Sequence, residues 1–215
     1  MCYTPGVPVL IRLRAEQRHQ PGKHDQLTHG GKGGFDSRVA GAATGDAALT
    51  ASALKREPTE AELCAIDRYG GDGSYNINRG LRSNGGDPAQ LEQQRHRDAV
   101  DGMDSVMSSA HLSKDVVVYR KAGTEDVFGS AAHGDMTGVT WRDHAFVSTS
   151  VVPRSVGGGL AQMRIVVPAG TSALSHRLLD DDEMVLDRGL TFRIVHDRGG
   201  QLGEIRHLDV EVVAS

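Results

Sequence analysis

The sequence predicts an α+β fold, and three observations carry that expectation. Helical patterning fills the middle of the chain, from Pro58 to about Ser109. From Lys114 the hydrophobic period switches to short apolar runs separated by turn residues, which is strand patterning. No internal repeat is visible, so the order "helices, then strands" reads as segregated layers rather than alternating β-α units.

Taken in order, residues 1–56 differ from the rest and read as a flexible, Gly/Ala-rich N-terminal arm. They hold Gly22–Gln26, His29–Gly34 and an Ala/Gly/Thr stretch from Ala40 to Ala53, with few large apolar side chains to offset the entropy of ordering. A short strand at Val7–Leu13 and a helix at Ala47–Lys55 are the regular elements such a segment has room for. Residues 57–215 form the predicted folded domain. Thr59 followed by Glu62 has the spacing of a capping box, and Leu63, Ala65, Ile66 and Tyr69 mark one apolar helix face. Gly70-Gly71 ends that helix. A second helix spans Ser74–Leu81, with Ile77 and Leu81 four apart. The turn Asn84–Pro88 precedes a polar helix from about Pro88 to Ser109. Strands are expected at Asp115–Arg120, Ala145–Thr149, Gln162–Val167, Glu183–Asp187, Leu190–Val195 and Ile205–Val213.

Composition narrows the function. The 215 residues carry 24 Lys+Arg and 28 Asp+Glu, a net charge of −4, which gives no support to a protein whose main task is gripping a phosphate backbone. Two cysteines, Cys2 and Cys64, exclude a disulfide scaffold and a cysteine-ligated zinc site. No run approaches the ~18–20 apolar residues of a membrane helix, and Val7–Ile11 is too short for a secretory h-region. The chain reads as soluble and made without a signal peptide. No phosphate loop, G-x-G-x-x-G, nucleophile elbow or H-E-x-x-H is present. His19, His24 and His29 lie five apart, a spacing that fits no common zinc pattern, and Gly157–Gly159 reads as a turn.

Three separated segments carry polar chemistry. Arg120 ends a strand of otherwise apolar residues, where a planar guanidinium can meet a phosphate or carboxylate; taken alone it is a surface arginine. In Phe146–Ser150 the strand period places Phe146, Ser148 and Ser150 on one face and Val147 and Thr149 on the other. Taken alone, that is an ordinary Ser/Thr-rich strand. Asp180–Glu183 places four acids in a row, a local conflict of the kind functional sites produce. Strand alternation would put Asp181 and Glu183 on one face, with Asp180 and Asp182 on the other. Two carboxylates there could divide their roles between stabilising positive charge and orienting a nucleophile. The alternative is a solvated acidic loop.

In this order, the segments resemble the arginine–serine–glutamate class of mono-ADP-ribosyltransferases, which includes binary-toxin exoenzymes and phage-encoded transferases. Tyr119-Arg120 is similar to the first-strand arginine motif, and Phe146–Ser150 to the family's Ser-Thr-Ser strand. Met163–Gly170 resembles the strand ending in Pro-x-Gly, and Glu183–Gly189 with Phe192–Ile194 the strand of the catalytic glutamate. Glu62–Ile66, Tyr69, Tyr75, Ile77-Asn78 and Leu81-Arg82 resemble the family's helical preamble. Two positions depart from the pattern: Lys121-Ala122 replaces the glycine that often follows the arginine, and Asp181 stands where Glu or Gln is usual. In the arm, Lys23–Gly30 followed by Gly31–Gly34 resembles a segment of head-associated phage proteins.

The resemblance implies N-terminal helices followed by two packed, mostly antiparallel β-sheets around an NAD cleft. It implies NAD as cosubstrate and no metal, with cleavage of the nicotinamide–ribose bond and transfer of ADP-ribose to a target, protein arginine being favoured. Glu183, Asp181 and Ser148 are the implied catalytic residues. Arg120, Ser148, Thr149, Ser150 and Tyr119 are implied to bind NAD, and Arg177, in the loop Ser172–Asp180, to touch the target. The partner is a protein acceptor, with nucleic acid less favoured and no membrane, in a host cytoplasm or a virion. The competing readings are an inactive transferase-fold module of a phage particle, modification of a nucleobase, and a metal-dependent hydrolase built on the acidic run.

Overall fold

The computed structural model describes residues 34–123, 134–153, 160–176, 178–199 and 205–213. The expectations at Val7–Leu13, the arm's histidines, Lys23–Gly30, Gly157–Gly159 and Arg177 lie outside them. The helices are α1 (Phe35–Gly41), α2 (Asp46–Ala51), α3 (Glu60–Arg68), α4 (Ser74–Ser83) and α5 (Gln94–Met107). The strands are β1 (Val116–Gly123), β2 (Thr140–Arg142), β3 (Val147–Ser150), β4 (Leu160–Val167), β5 (Ala173–Leu174), β6 (Glu183–Leu186), β7 (Thr191–Asp197) and β8 (Arg206–Val213).

The expected capping box opens α3: Thr59 Oγ1 accepts the Glu62 N–H and the Glu62 carboxylate accepts the Thr59 N–H at 2.8 Å. The buried Glu62 also takes two bonds from Arg56, at 2.8 and 2.6 Å, and one from Ser105 of α5 at 2.8 Å. One carboxylate thus caps a helix and ties it to its neighbour. Arg56 holds its pKa down to about 2. The two helices approach so closely that a Cβ on Gly102 would lie 2.5 Å from that of Ala65. Gly70-Gly71 does not end the helical region. A π-helical turn over Tyr69–Gly73, broken at Gly71, leads directly into α4. The polar helix starts at Gln94 rather than Pro88, because Asp87 caps a separate 3-10 turn and Leu91 inserts against Gly80.

Eight strands form one sheet in the order β2-β7-β8-β4-β1-β3-β6-β5. Every neighbouring pair is antiparallel except β4 with β8. The two expected sheets are therefore halves of one hydrogen-bonded sheet, joined between β1 and β3 at the single register pair Tyr119↔Ser150. The halves pack on each other: Val116, Val118 and Ile165 from one meet Val147, Met184 and Leu186 from the other in one core cluster. A second cluster places Phe146, Leu174 and Val185 against α3, α4 and α5. The Val116–Val118 run is continuous because both faces are covered, with Val117 turned toward Phe35 of α1. Residues assigned to the arm thus contribute to the core: Phe35, Ala48 and Ala51 are all buried.

Candidate active site

The pair Tyr119↔Ser150 decides what meets what. Ser150 is also in register with Glu183, so Tyr119, Ser150 and Glu183 form one row across three strands. Arg120 is one residue beyond that row on β1, and Ser148 two residues before it on β3. Segments far apart in sequence converge on a cleft of about 240 Å³ lined by Arg120, Ser148, Thr149, Ser150, Asp180 and Glu183, with Tyr119, Lys121, Val152 and Gln162 completing the wall.

The Arg120 guanidinium donates to the Ser148 carbonyl at 3.3 Å, tying the strands together beside their single pair. Burial lowers its pKa, Asp143 opposes that shift and Arg82 adds to it. A guanidinium survives such a shift as a cation. Arg82 itself forms a two-point pair with the buried Asp143, both bonds at 3.0 Å.

Ser148 is held from the helical side. Its Oγ lies 3.1 Å from the hydroxyl of Tyr69, which accepts a bond from Asn78 Nδ2 at 2.8 Å. With the Asn78 proton accepted, the phenol has its own proton for Ser148. Burial raises the Tyr69 pKa and the charge of Glu183 adds to it, so the hydroxyl stays neutral. Asn78 Oδ1 is buried with no hydrogen-bond partner among the described residues. In the sequence, Tyr69 and Asn78 stand out only as parts of a helical motif. The signal available there is a polar Asn78 between Ile77 and Leu81, the buried positions of α4.

The other two hydroxyls act within the fold. Thr149 Oγ1 donates to the Met184 carbonyl at 2.6 Å, pinning β3 to β6. Ser150 Oγ accepts the Val152 N–H and has one proton to give, with the Val152 carbonyl at 2.8 Å and Asp182 Oδ2 at 3.0 Å in reach. Tyr119 packs its ring with the Phe35 cluster.

The acidic run does not alternate as a strand. The Glu183 N–H donates to the Asp180 carbonyl at 2.9 Å, making residues 180–183 a turn, and strand geometry begins at Glu183. Asp180 and Glu183 therefore share the cleft, Asp182 faces Ser150, and Asp181 is exposed outside the cleft lining. A turn separates four adjacent carboxylates better than a strand, where alternate acids share a face. Among the described residues no group of three or more His, Cys, Asp or Glu is placed to hold a metal ion. No helix there is long and apolar enough to cross a membrane.

The model of the ADP-ribosyltransferase exoenzymes matches residues 47–207, well over half of the chain. The chain belongs to this family. It thereby stands among the NAD-dependent ADP-ribosyltransferase enzymes. The fold agrees with solved relatives. The Clostridium limosum C3 exoenzyme is 16% identical with a TM-score of 0.64, over 83% of this chain and 94% of that one. A C3 protein from S. aureus, solved with NAD, is 20% identical with a TM-score of 0.62, over 80% and 93%. An ADP-ribosyltransferase from Clostridium botulinum is 16% identical with a TM-score of 0.62, over 87% and 99%. No curated protein matches the chain by sequence.

Proposed function

We propose that this chain cleaves the nicotinamide–ribose bond of NAD and transfers ADP-ribose to a protein acceptor, as an arginine–serine–glutamate transferase. The observation that carries the reading is the convergence of Arg120, Ser148 and Glu183, from three strands, on one cleft. The donor set suits a dinucleotide: Arg120 is a fixed cation for the pyrophosphate or adjacent ribose, and Ser148 is a hydroxyl held by Tyr69. At about 240 Å³ the cleft is below the ~300–1,000 Å³ of typical small-molecule sites, so it takes one end of the dinucleotide.

Cleavage develops positive charge on the ribose, the problem glycosidases solve with carboxylates. Glu183 stabilises that charge and holds the ribose hydroxyl, Ser148 braces it, and Arg120 keeps the phosphate end in place. Asp181, exposed on the turn beside the cleft, meets the acceptor. A carboxylate there favours a cationic acceptor, which supports protein arginine over a nucleobase. A basic stripe for nucleic acid has little support, since Arg82 is spent on Asp143 and Arg97 on Gln94 and Leu91.

The test is Glu183→Gln in labelled-NAD incubations with bacterial lysate, run beside protease- and nuclease-treated lysate. The expected result is loss of transfer and of NAD hydrolysis by 10² or more, with an unchanged far-UV spectrum and melting point. A loss below tenfold in a folded variant refutes the role of Glu183. Wild-type label that survives protease but not nuclease refutes the protein acceptor.

A further inference from the structure

We infer that Asn78 is a positioning residue for the cleft. It fixes the direction of the hydrogen-bond chain Asn78–Tyr69–Ser148, so that Ser148 presents its hydroxyl proton, rather than a lone pair, to the dinucleotide. The inference rests on the transferase reading of the cleft and adds to it how one of its groups is oriented. The links are the 2.8 Å bond from Asn78 Nδ2 to the Tyr69 hydroxyl and the 3.1 Å contact from that hydroxyl to Ser148 Oγ. Ser148 lines the cleft together with Asp180 and Glu183.

Asn78 is a polar residue on a helix face built for packing. It is 8% exposed and lies in the sequence between Ile77 and Leu81, the other buried residues of α4. Its carbonyl oxygen, Oδ1, is the one buried side-chain polar atom without a hydrogen-bond partner among the described residues. An apolar side chain of the same size would remove that orphan, so stability alone does not account for an amide here. The bond to Tyr69 is the one hydrogen bond its side chain makes among the described residues. The residue is therefore best understood through what it does to Tyr69.

Counting protons sets the direction. An amide nitrogen only donates, so the Tyr69 oxygen accepts from Asn78 and its own proton is left for Ser148. Ser148 Oγ accepts that proton, which leaves the serine proton for the cleft. With the amide turned over, each step reverses. Tyr69 would donate to the Asn78 carbonyl and Ser148 to Tyr69, and the cleft would meet a serine oxygen offering only lone pairs beside two carboxylates. The charges that act on Tyr69 select between the two chains. They are Glu183 and Arg120, and Glu183 acts more strongly. A negative charge in the cleft favours dipoles whose protons point toward it, which is the direction from Asn78 to Ser148. The cleft thereby gains a neutral donor beside Glu183, suited to an acceptor oxygen of the dinucleotide such as a ribose hydroxyl.

The direction is tested in the unaltered protein by NMR. Strong cross-peaks from the side-chain amide protons of Asn78 to the Tyr69 ring protons are expected, because Nδ2 faces the phenol. A carbonyl facing Tyr69 would put those protons on the far side, and weak or missing cross-peaks overturn the inference. The role is tested with Asn78→Asp, as kcat for NAD hydrolysis divided by the wild-type value at each pH. Ionised, the introduced carboxylate only accepts and reverses the chain; protonated, it donates as the amide does. The ratio should be about one tenth near pH 8, with KM little changed, and should climb toward one by about pH 5, because burial raises the pKa of the introduced carboxyl. In the Tyr69→Phe chain the same substitution should give a ratio independent of pH. A merely structural Asn78 gives a pH-independent ratio in the wild-type background as well, and that result overturns the inference. So does a pH-dependent ratio that survives Tyr69→Phe. A wild-type protein that leaves NAD intact overturns the transferase reading instead, and the cross-peaks still decide the direction of the chain.

Discussion

Replacing Tyr69 by phenylalanine removes one oxygen atom and separates the fold's need for Tyr69 from the site's. The ring survives, with its edge-on contact to Phe146 at 5.5 Å and 80°, so the packing of this fully buried side chain is retained. What disappears is the acceptor for Asn78 Nδ2, at 2.8 Å, and the partner of Ser148 Oγ, at 3.1 Å. Asn78 is 8% exposed and its Oδ1 already lacks a partner, so the variant leaves a buried amide unpaired at both ends. That costs roughly 1–3 kcal/mol, or about 3–10 °C in melting temperature for a domain of this size. Urea denaturation should show a lower midpoint with an unchanged slope. For the site, Ser148 loses the bond that fixes its hydroxyl, and NAD hydrolysis should fall about tenfold in kcat with little change in KM. The decisive assay is the double-mutant cycle with Ser148→Ala. If Tyr69 acts through Ser148, the two losses are strongly non-additive. Additive losses refute the positioning role. A Tyr69→Phe midpoint within about 0.5 kcal/mol of wild type refutes the account of Asn78 as well.

Three further outcomes follow from the same geometry. Arg120→Ala should weaken NAD binding by about tenfold or more in calorimetry, and unchanged affinity counts against its phosphate role. Glu62 has a folded pKa lowered from 4.5 to about 2, so its contribution is fully present above pH 4.5 and is lost as pH falls toward 2. Discounted for the partly exposed Arg56, that contribution is about 2 kcal/mol, and Arg56→Gln should flatten stability between those pH values. Gly102→Ala should cost about 1–3 kcal/mol by forcing α3 and α5 apart, and Ala65→Gly in the same chain should restore most of it; a neutral single variant would show the contact to be soft.

What the sequence revealed in advance was local. The Thr59–Glu62 capping box is a four-residue signal, and the Val116–Val118 run is a strand at any register. The motif segments at Arg120, Ser148 and Glu183 were visible as chemistry and as a family resemblance, and each lines the cleft. The structure departs from the sequence pattern where a turn interrupts a longer period or a contact crosses the chain. Strand alternation, carried back into Asp180–Asp182, paired the wrong acids, because an i→i+3 hydrogen bond had already turned the backbone. β2 and β5 are three and two residues long, too short for periodicity to register. Phe35 and the Ala48/Ala51 face of α2 looked like arm because their burial depends on the sheet they pack against. The Tyr69–Ser148 bond spans 79 residues, and nothing near either residue announces it.

The convergence itself is a register effect. β1 runs beside β4 for eight pairs but meets β3 at one, and that one pair also lies opposite Glu183. Because a strand's side chains alternate, a slip of one residue between β3 and β6 would set Glu183 opposite a residue of the other face and draw Thr149 off the Met184 carbonyl. Thr149 and Ser150 resist that slip, the first by bonding to β6 and the second by bonding around the turns at Val152 and Asp182. The three hydroxyls of the strand therefore divide the work that the motif compresses into three letters. Ser148 lines the cleft and meets Tyr69, and the two after it hold the register that brings Glu183 opposite the strand's end.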